Sequence, residues 1–395
     1  MTHKPLIKCQ GIKTKLVPWI RDTLYTQTSL STISNNNTNN NTNNNTNNDI
    51  LFIELFTGSS VVTNNIAPTY AICNDKNPYI VLLNNILKNP EMIGMDKDSL
   101  YRVMTSMLSN AFDKLQDLGE DYYYDVRKEF NKFTQEVKSL TDNRWCMDKG
   151  ISNVLSDTTT NTSIDPQIAK NVISETTLLK AVVRFLFLSR SCFNGVMRFN
   201  DKGEFNVPFC KNTTKFAKDA YKQDLFDRLR HHIDTYGNHK DNYIFTNYDY
   251  KFLLEYLNII CINSFGTDYL KGFNTISDNT TRKSNIMIYA DPPYDSKENT
   301  YHNKWKTKNT IELYETLIEM NIPCAISTWY TSVKRVKNNN NNNNSNNDII
   351  EEITVNPLIA QYKDKFDIFT QEHEYTVGPR SSNRPTVLEA LLVRN

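Results

Sequence analysis

Short apolar runs alternate with amphipathic stretches near both ends of the chain, and this alternation constrains the fold more than any other feature. Apolar runs at 49–56 and 69–75 are followed by an amphipathic stretch at 78–89 that begins with a proline, as many helices do. Strands that alternate with helices are typical of a doubly wound, mostly parallel sheet, so the sequence predicts an α/β fold. Further apolar runs follow at 242–250, 286–290, 323–329 and 385–395, and a further helical pattern lies at 310–321.

The middle of the chain, from 91 to 235, has the pattern of long helices instead. The stretches DYYYDVRKEFNKFTQEVKSL at 121–140 and TLLKAVVRFLFLSRSCF at 177–193 show this pattern clearly. We interpret the middle as a helical domain inserted into an α/β core that is formed by 1–90 and 236–395.

Bulk properties exclude several classes of protein. Two asparagine-rich tracts, 34–48 and 338–347, contain nothing apolar to bury and predict surface loops. The formal net charge is +1, so a nucleic acid would have to meet a local basic surface. The seven cysteines form neither a Cys-x-x-Cys pair nor a Cys/His cluster, which argues against a metal site and a disulfide framework. With no signal peptide or long apolar run, we expect a soluble, intracellular monomer.

Three acids follow predicted strands. Glu54 opens the turn ELFTGSSVV, in which Gly58 lets a ligand approach the backbone, and Asp75 ends the second strand. Asp291 follows the apolar run at 286–290, and the carboxyl ends of parallel strands line one crevice. Neither a GxGxxG motif nor a P-loop lysine is present, so a nucleoside is the predicted ligand. Helix capping is the alternative role for Glu54 and Asp75.

The tetrad Asp291-Pro292-Pro293-Tyr294 suits chemistry on an amino group that is conjugated to an aromatic ring. Such a nitrogen is a poor nucleophile, and acceptors at the Asp291 carboxylate and the Pro292 carbonyl would draw on its protons. The prolines stiffen the loop, and Tyr294 offers a face on which a base could stack. A proline-rich turn with a core tyrosine is the alternative interpretation.

These motifs resemble those of the Dam-like, α-group N6-adenine-specific DNA methyltransferases, which use S-adenosylmethionine. The D-P-P-Y motif of that family is intact at 291–294, and SRSCFNGVMRFNDKGEFNVPFCK at 189–211 is similar to its target-recognition region. The other matching stretches are the N-terminal element at 8–13, the cofactor motif at 54–60, NDKNP at 74–78, YYYDVRKEFN at 122–131 and VGPRSSNRPTVLEALLVRN at 377–395.

The resemblance implies a class I, Rossmann-like methyltransferase sheet with an inserted helical target-recognition domain. It implies methyl transfer from S-adenosylmethionine to the N6 amino group of a flipped adenine in double-stranded DNA, with a GATC-like site as the first to test. The implied catalytic residues are Asp291, Pro292, Pro293 and Tyr294. The implied cofactor-binding residues are Lys13, Glu54, Phe56, Gly58, Asp75 and Asp249. The implied DNA-binding residues are Arg127, Arg190, Asn194, Arg198, Asn206 and Lys211.

Local charge agrees with DNA as the substrate, because residues 190–230 hold nine Lys or Arg against five Asp or Glu. The departures from the family pattern fall in the cofactor motifs, at Cys9, Ile12, Leu55 and Ser60. They leave open a second hypothesis, a catalytically degenerate DNA-binding protein that keeps the methylase fold.

Substrates other than adenine fit the sequence less well. Cytosine C5 methylation needs a cysteine nucleophile after a proline, but Pro323-Cys324 opens a predicted buried strand, so a structural cysteine is favoured. RNA or a protein amide is a further alternative, which the basic insert disfavours.

Overall fold

A seven-stranded sheet forms the centre of the protein, in the order β3-β2-β1-β4-β5-β9-β8. Strands β1 to β5 run parallel within it, whereas β9 pairs antiparallel with both β5 and β8. The predicted α/β fold is therefore confirmed. The strands are β1 Leu51–Glu54, β2 Tyr70–Asn74, β3 Tyr243–Thr246, β4 Ile286–Ala290, β5 Cys324–Trp329, β6 Thr331–Lys337, β7 Ile349–Val355, β8 Asp367–Glu374 and β9 Thr386–Arg394.

This computed structural model describes residues 2–9, 11–28, 30, 50–140, 174–211, 219–263, 286–294, 305–337, 349–374 and 386–395. Both asparagine-rich tracts lie outside the described residues. The second tract falls between β6 and β7, which pair with each other as a separate antiparallel hairpin.

Helices surround the sheet and form the middle of the chain. They are α1 Val17–Gln27, α2 Val61–Ile66, α3 Pro78–Lys88, α4 Lys97–Leu118, α5 Glu120–Leu140, α6 Glu175–Ser191, α7 Asp219–Asn238, α8 Tyr250–Asn263, α9 Thr307–Met320 and α10 Pro357–Tyr362. Side-chain caps define several starts: Asn77 accepts from Tyr79 N before α3, and Asp96 accepts from Ser99 N before α4. None of the described helices is both long and apolar enough to cross a bilayer.

The central strands are buried on both faces because helices cover each side. Phe52 and Met287 contribute to a cluster on the face covered by α1 and α2. Ile53 and Ile288, one position further along each strand, contribute to the opposite cluster with Leu313 of α9. This alternation follows from the two-residue period of a strand, and it explains why the strands are continuous apolar runs.

The helical middle shares a core with one edge of the sheet. Cys73 of β2 and Phe245 of β3 belong to the same buried cluster as side chains of α3 to α7, among them Phe112, Phe130 and Phe185. The predicted helices of the middle are thus confirmed, and α7 continues to Asn238. The division of the chain into two domains stays a prediction.

A hairpin at 192–209 leaves the end of α6 and docks on α5. Cys192 bridges to Phe209, and Phe199 bridges to Phe205. The Asn131 side chain of α5 bonds both backbone groups of Phe205, accepting at 2.8 Å and donating at 3.0 Å. These bonds hold the segment that resembles a target-recognition region against a rigid helix.

The buried side chain of Asn74 ties together the carboxyl ends of three strands. Its Nδ2 donates to the carbonyl oxygens of Leu55 and Tyr248, both at 3.1 Å. Its Oδ1 accepts from Thr246 Oγ1 at 3.0 Å and from Tyr248 N at 2.9 Å. One amide at the end of β2 therefore bonds the backbone just beyond β1 and β3, where the predicted site lies.

We expect Asn74→Ala to lower the free energy of unfolding by about 2–4 kcal/mol, because it leaves buried donors and acceptors unpaired. Urea unfolding would measure the loss as a lower midpoint with an unchanged slope. The control is Asn85→Ala, which removes a single long bond of 3.4 Å to Phe245 O and should cost less than about 1 kcal/mol. Equal losses in the two variants would contradict the role given to Asn74.

Candidate active site

Three neighbouring parallel strands bring the predicted acids to one edge of the sheet. In the register of β1, Glu54 lies opposite Cys73 of β2 and Tyr289 of β4. Asp75 follows β2 directly and Asp291 follows β4 directly. The structure therefore places all three acids at the carboxyl ends of adjacent strands, where α/β sheets bind ligands.

The turn after β1 is fastened to Asp75. Gly58 has φ +47° and donates its N–H to Asp75 Oδ2 at 2.7 Å. Asn77 N donates to Asp75 Oδ1, also at 2.7 Å, and burial raises the pKa of this carboxyl to about 6 despite both bonds. Each oxygen keeps a further lone pair, which could accept from a hydroxyl group.

Ser60 has φ +57° and is buried, so a side chain occupies a left-handed position where glycine is favoured. Its Oγ accepts from Asn84 Nδ2 of α3 at 3.1 Å. The extra hydroxyl is thus bonded to the helix behind the turn.

Glu54 is 2% exposed and bonds the start of α2. Its Oε2 accepts from Thr57 Oγ1 at 3.1 Å, from Thr63 N at 3.3 Å and from Thr63 Oγ1. Burial raises the pKa of Glu54 to about 8, although the threonine bonds oppose the rise. The structure thus shows the capping role that the sequence left open, and direct contact with a cofactor stays a prediction.

Lys13 joins the N-terminal segment to the tetrad. Its Nζ lies 2.8 Å from Asp291 Oδ1, with side chains 6% and 19% exposed, and 4.9 Å from the centroid of the Tyr294 ring. Burial lowers the pKa of Lys13, but the charges of Asp291 and Glu389 outweigh it and leave the pKa raised. A buried ammonium therefore faces the carboxylate that the sequence assigns to catalysis.

Tyr294 is held at its hydroxyl by a residue to which the sequence assigned no role. Its Oη donates to Glu389 Oε2 at 2.7 Å, and Glu389 is 1% exposed on β9. The signal in the sequence was an acid inside the apolar run 387–393. Of the two prolines between Asp291 and Tyr294, Pro292 is buried and Pro293 is half-buried.

Phe56 and Asp249 lie near the ends of β1 and β3. The Phe56 ring is 5.4 Å from that of Tyr250 and 5.5 Å from that of Trp305, between centroids. Asp249 forms an ion pair of 2.9 Å with Lys76. These side chains provide an aromatic wall and a carboxylate beside the Asp75 turn.

The substituted N-terminal element packs against the same turn. A Cβ built on Gly58 would lie 3.8 Å from Cys9 Sγ, the nearest atom outside the adjoining residues in the described part of the chain. Burial raises the pKa of the Cys9 thiol to about 12, so this side chain acts as a small apolar group. Ile12 packs against the apolar cluster that includes Phe52.

Most of the predicted DNA-binding residues lie on α5 and on the 192–209 hairpin. Arg198 Nε donates to Asn206 Oδ1 at 2.8 Å, which holds the two predicted side chains together. Arg127 donates to Val207 O at 3.1 Å and stacks 4.5 Å over the Tyr124 ring. Asn194, with φ +53°, lies in the same hairpin, and the exposed Lys211 follows it.

Arg190 differs from the other predicted DNA-binding residues because it is buried. The sequence predicts that it reaches DNA, but its side chain is on the buried face of α6, where it is only 8% exposed. Its Nη2 donates to Pro5 O at 3.0 Å, and Arg228 Nη1 donates to the same oxygen at 3.0 Å. Burial lowers the pKa of Arg190 to about 10. It holds the N-terminal segment, and contact between Arg190 and DNA stays a prediction.

No three His, Cys, Asp or Glu side chains of the described residues come together as metal ligands would. The acids at the sheet edge are instead bonded to backbone N–H groups, threonines, a lysine and a tyrosine.

A seven-stranded, mostly parallel sheet with acids at the ends of adjacent strands is consistent with a Rossmann-like methyltransferase. The model of the D12 class N6 adenine-specific DNA methyltransferase family matches residues 10–259, more than half of the chain. The protein therefore belongs to this family. The matched range ends before Asp291, so the tetrad rests on its own sequence and geometry.

Curated relatives match shorter stretches. Type II methyltransferase M.MjaIII of Methanocaldococcus jannaschii is 25% identical over 213 residues, which cover 53% of each chain. Type II methyltransferase M.CviBI of Paramecium bursaria Chlorella virus NC1A is 32% identical over 29% of this chain and 30% of its own. DNA adenine methylase of Serratia marcescens is 26% identical over 40% of this chain and 38% of its own. This chain thus spans about half, or less, of the relatives that it matches.

The raised pKa of Glu54 predicts a dependence of stability on pH. The folded protein keeps a proton on Glu54 up to about pH 8, whereas the unfolded chain releases it near the ordinary value of 4.5. This contribution to stability is present below the unfolded pKa and is lost as pH rises through the folded pKa. We expect Glu54→Gln, which cannot titrate, to lose less thermal stability than the wild type between about pH 5 and pH 8.

The matched control for this measurement is Glu255→Gln, at an exposed position of α8. It should keep the pH dependence of the wild type. Identical melting-temperature losses in wild type and Glu54→Gln would show that Glu54 is already ionised in the folded protein at pH 5.

Proposed function

We propose that this protein is a site-specific DNA methyltransferase that transfers a methyl group from S-adenosylmethionine to the N6 amino group of an adenine in double-stranded DNA. The observation that carries the proposal is the position of Asp291. It ends β4 beside the turn in which Gly58 bonds Asp75, so an acceptor for an amino group and a predicted nucleoside site share one edge of the sheet.

The donor set at this edge fits S-adenosylmethionine. Lys13 offers an ammonium for the amino-acid carboxylate, Gly58 lets a ligand approach the backbone, and Asp75 can accept from ribose hydroxyls. Phe56 and Asp249 would flank the adenine moiety, and Glu54 would hold the turn in shape through α2. When bound, the cofactor supplies an electrophilic methyl group on its sulfonium.

The residues of the tetrad act on the substrate amino group. The Asp291 carboxylate and the Pro292 carbonyl accept hydrogen bonds from the N–H groups of this amine. These bonds concentrate the lone pair on the nitrogen for in-line attack. Lys13 forms an ion pair with one Asp291 oxygen, which orients the carboxylate, and the other oxygen can accept from the substrate amino group. Tyr294 would stack on the base, and the prolines limit the movement of the loop. No covalent enzyme intermediate is needed.

The helical middle, 91–235, would recognise DNA, while 1–90 and 236–395 form the methyltransferase core. Arg198 and Asn206 lie on the hairpin, Arg127 lies on the helix beneath it and the exposed Lys211 follows it. These side chains could bind phosphates or base edges. A base inside a duplex cannot reach Asp291, so the target adenine must flip out of the helix.

The second candidate is a DNA-binding protein that has lost cofactor affinity. The substitutions at Ile12 and Ser60 motivate it. Its weakness is that the Ser60 hydroxyl is bonded to α3 and Ile12 packs in an apolar cluster. The names of the relatives, two type II methyltransferases and a DNA adenine methylase, also favour an enzyme.

We expect the purified chain to bind S-adenosylmethionine with a measurable heat in isothermal calorimetry. A protein that gives no heat and no thermal shift at millimolar cofactor would be the degenerate DNA-binding protein instead.

We expect Asp291→Asn to lower the single-turnover rate of methyl transfer at least ~100-fold, because a neutral amide is a weaker acceptor for the substrate amino group. Its oxygen still bonds Lys13, so cofactor affinity should change less than ~3-fold. Labelled S-adenosylmethionine with unmethylated plasmid DNA measures the rate, and calorimetry measures the affinity. The control is Asp364→Asn at an exposed position after α10. Equal loss of rate and affinity would contradict the assigned role.

Single-molecule sequencing of DNA from cells that express the chain should show N6-methyladenine within one short sequence, with GATC-like sites examined first. Methylation spread over unrelated sequences would contradict site specificity, and its absence alongside cofactor binding would point to RNA or protein substrates.

A further inference from the structure

We propose that Glu389 is a positioning residue for methyl transfer, which fixes the Tyr294 ring in the orientation that stacks on the substrate base. The proposal deepens the function proposed above and rests on it. Glu389 does not touch the reacting atoms. It acts through the tyrosine hydroxyl, from a strand on the far side of β5 from the tetrad.

The position of Glu389 is unfavourable for a carboxylate that serves packing alone. It lies in the middle of β9, opposite Trp329 of β5 and Gln371 of β8, and is 1% exposed. The four residues that follow it in the strand, Ala390 to Val393, are buried and apolar. Burying a carboxylate costs several kcal/mol unless it is bonded, so an apolar residue would pack here more cheaply.

Glu389 accepts a hydrogen bond from Tyr294, the last residue of the tetrad. Tyr294 Oη lies 2.7 Å from Glu389 Oε2, a normal length for a hydroxyl that donates to a carboxyl oxygen. Tyr294 is the fourth residue after β4 and is not part of a strand, whereas Glu389 is on a strand that is paired on both sides. The rigid partner therefore restrains the loop residue.

Lys13 restrains the same ring from its face. Its Nζ is 4.9 Å from the ring centroid and forms the ion pair with Asp291. The ammonium is in direct contact with Asp291, and the negative charge of Glu389 also raises the pKa of Lys13. The ring is held at its face by a cation and at its hydroxyl by an anion, which leaves little freedom for rotation or tilt.

Holding the Tyr294 ring in place should raise the rate of methyl transfer without changing the affinity for the cofactor. A base that enters the site stacks on Tyr294 only if the ring already lies in the correct plane, and a misplaced base loses alignment with the methyl donor. The cofactor residues Lys13, Gly58 and Asp75 keep their own bonds when the Glu389 carboxylate is removed.

A double-mutant cycle tests the proposal. The variants are Glu389→Leu, Tyr294→Phe and the combination of both, each with unmethylated plasmid DNA and labelled S-adenosylmethionine. We expect each single variant to lower the single-turnover rate ~10-fold, the order expected for one buried hydrogen bond, and the double variant to be no slower than either. Glu389→Gln, whose amide oxygen can accept the same bond, should restore most of the rate.

Cofactor affinity from calorimetry should change less than ~2-fold in all variants, and thermal melts verify that each is folded. Tyr294→Phe removes the bond from the loop side, so the test does not depend on the tolerance of β9 for leucine. Additive effects, with the double variant ~100-fold slower, would overturn the role of Glu389. So would a Glu389→Gln variant as slow as Glu389→Leu. A wild type that neither binds cofactor nor transfers methyl groups would refute the proposed function itself.

Discussion

The ion pair between Lys13 and Asp291 is the interaction on which the arrangement of the site depends. Both side chains are largely buried, and removal of one partner from such a pair typically costs about 3–5 kcal/mol, because the other charge is left uncompensated. The pair fastens the N-terminal segment to the end of β4. It also places a cation beside the Tyr294 ring, so a predicted cofactor-binding residue and the predicted catalytic tetrad share one contact.

The same N-terminal segment connects the sheet edge with the helical middle. Arg190 and Arg228 both donate to the Pro5 carbonyl, and Lys8 lies against Gly195 of the hairpin, where an added Cβ would come within 2.6 Å of it. Only seven residues lie between Pro5 and Lys13 in the sequence. A short stretch of chain thus links the element proposed to read DNA with the residue that faces Asp291.

Several carboxyl groups are buried at this edge of the sheet. Each buried acid accepts hydrogen bonds from protein donors in place of water. Glu54 accepts from two threonine side chains and a backbone N–H, Asp75 from two backbone N–H groups and Glu389 from a tyrosine hydroxyl. Burial raises the pKa of Glu54 and Asp75, which shows that the bonds do not fully replace hydration. Such positions are costly for stability, and costly polar groups concentrate at sites that act on ligands.

The sequence by itself determined six of the nine described strands, the helical middle and the positions of Glu54, Asp75 and Asp291 at strand ends, because hydrophobic period and proline placement are local properties. It did not predict β6, β7 or β8. It could not determine which of these residues meet. Only the tertiary structure decided that Glu54 caps α2, that Arg190 is buried against Pro5, and that Glu389 holds Tyr294 from β9. The reason is physical: strand order and the path of the N-terminal segment bring together residues far apart in the chain, and no local pattern records such contacts.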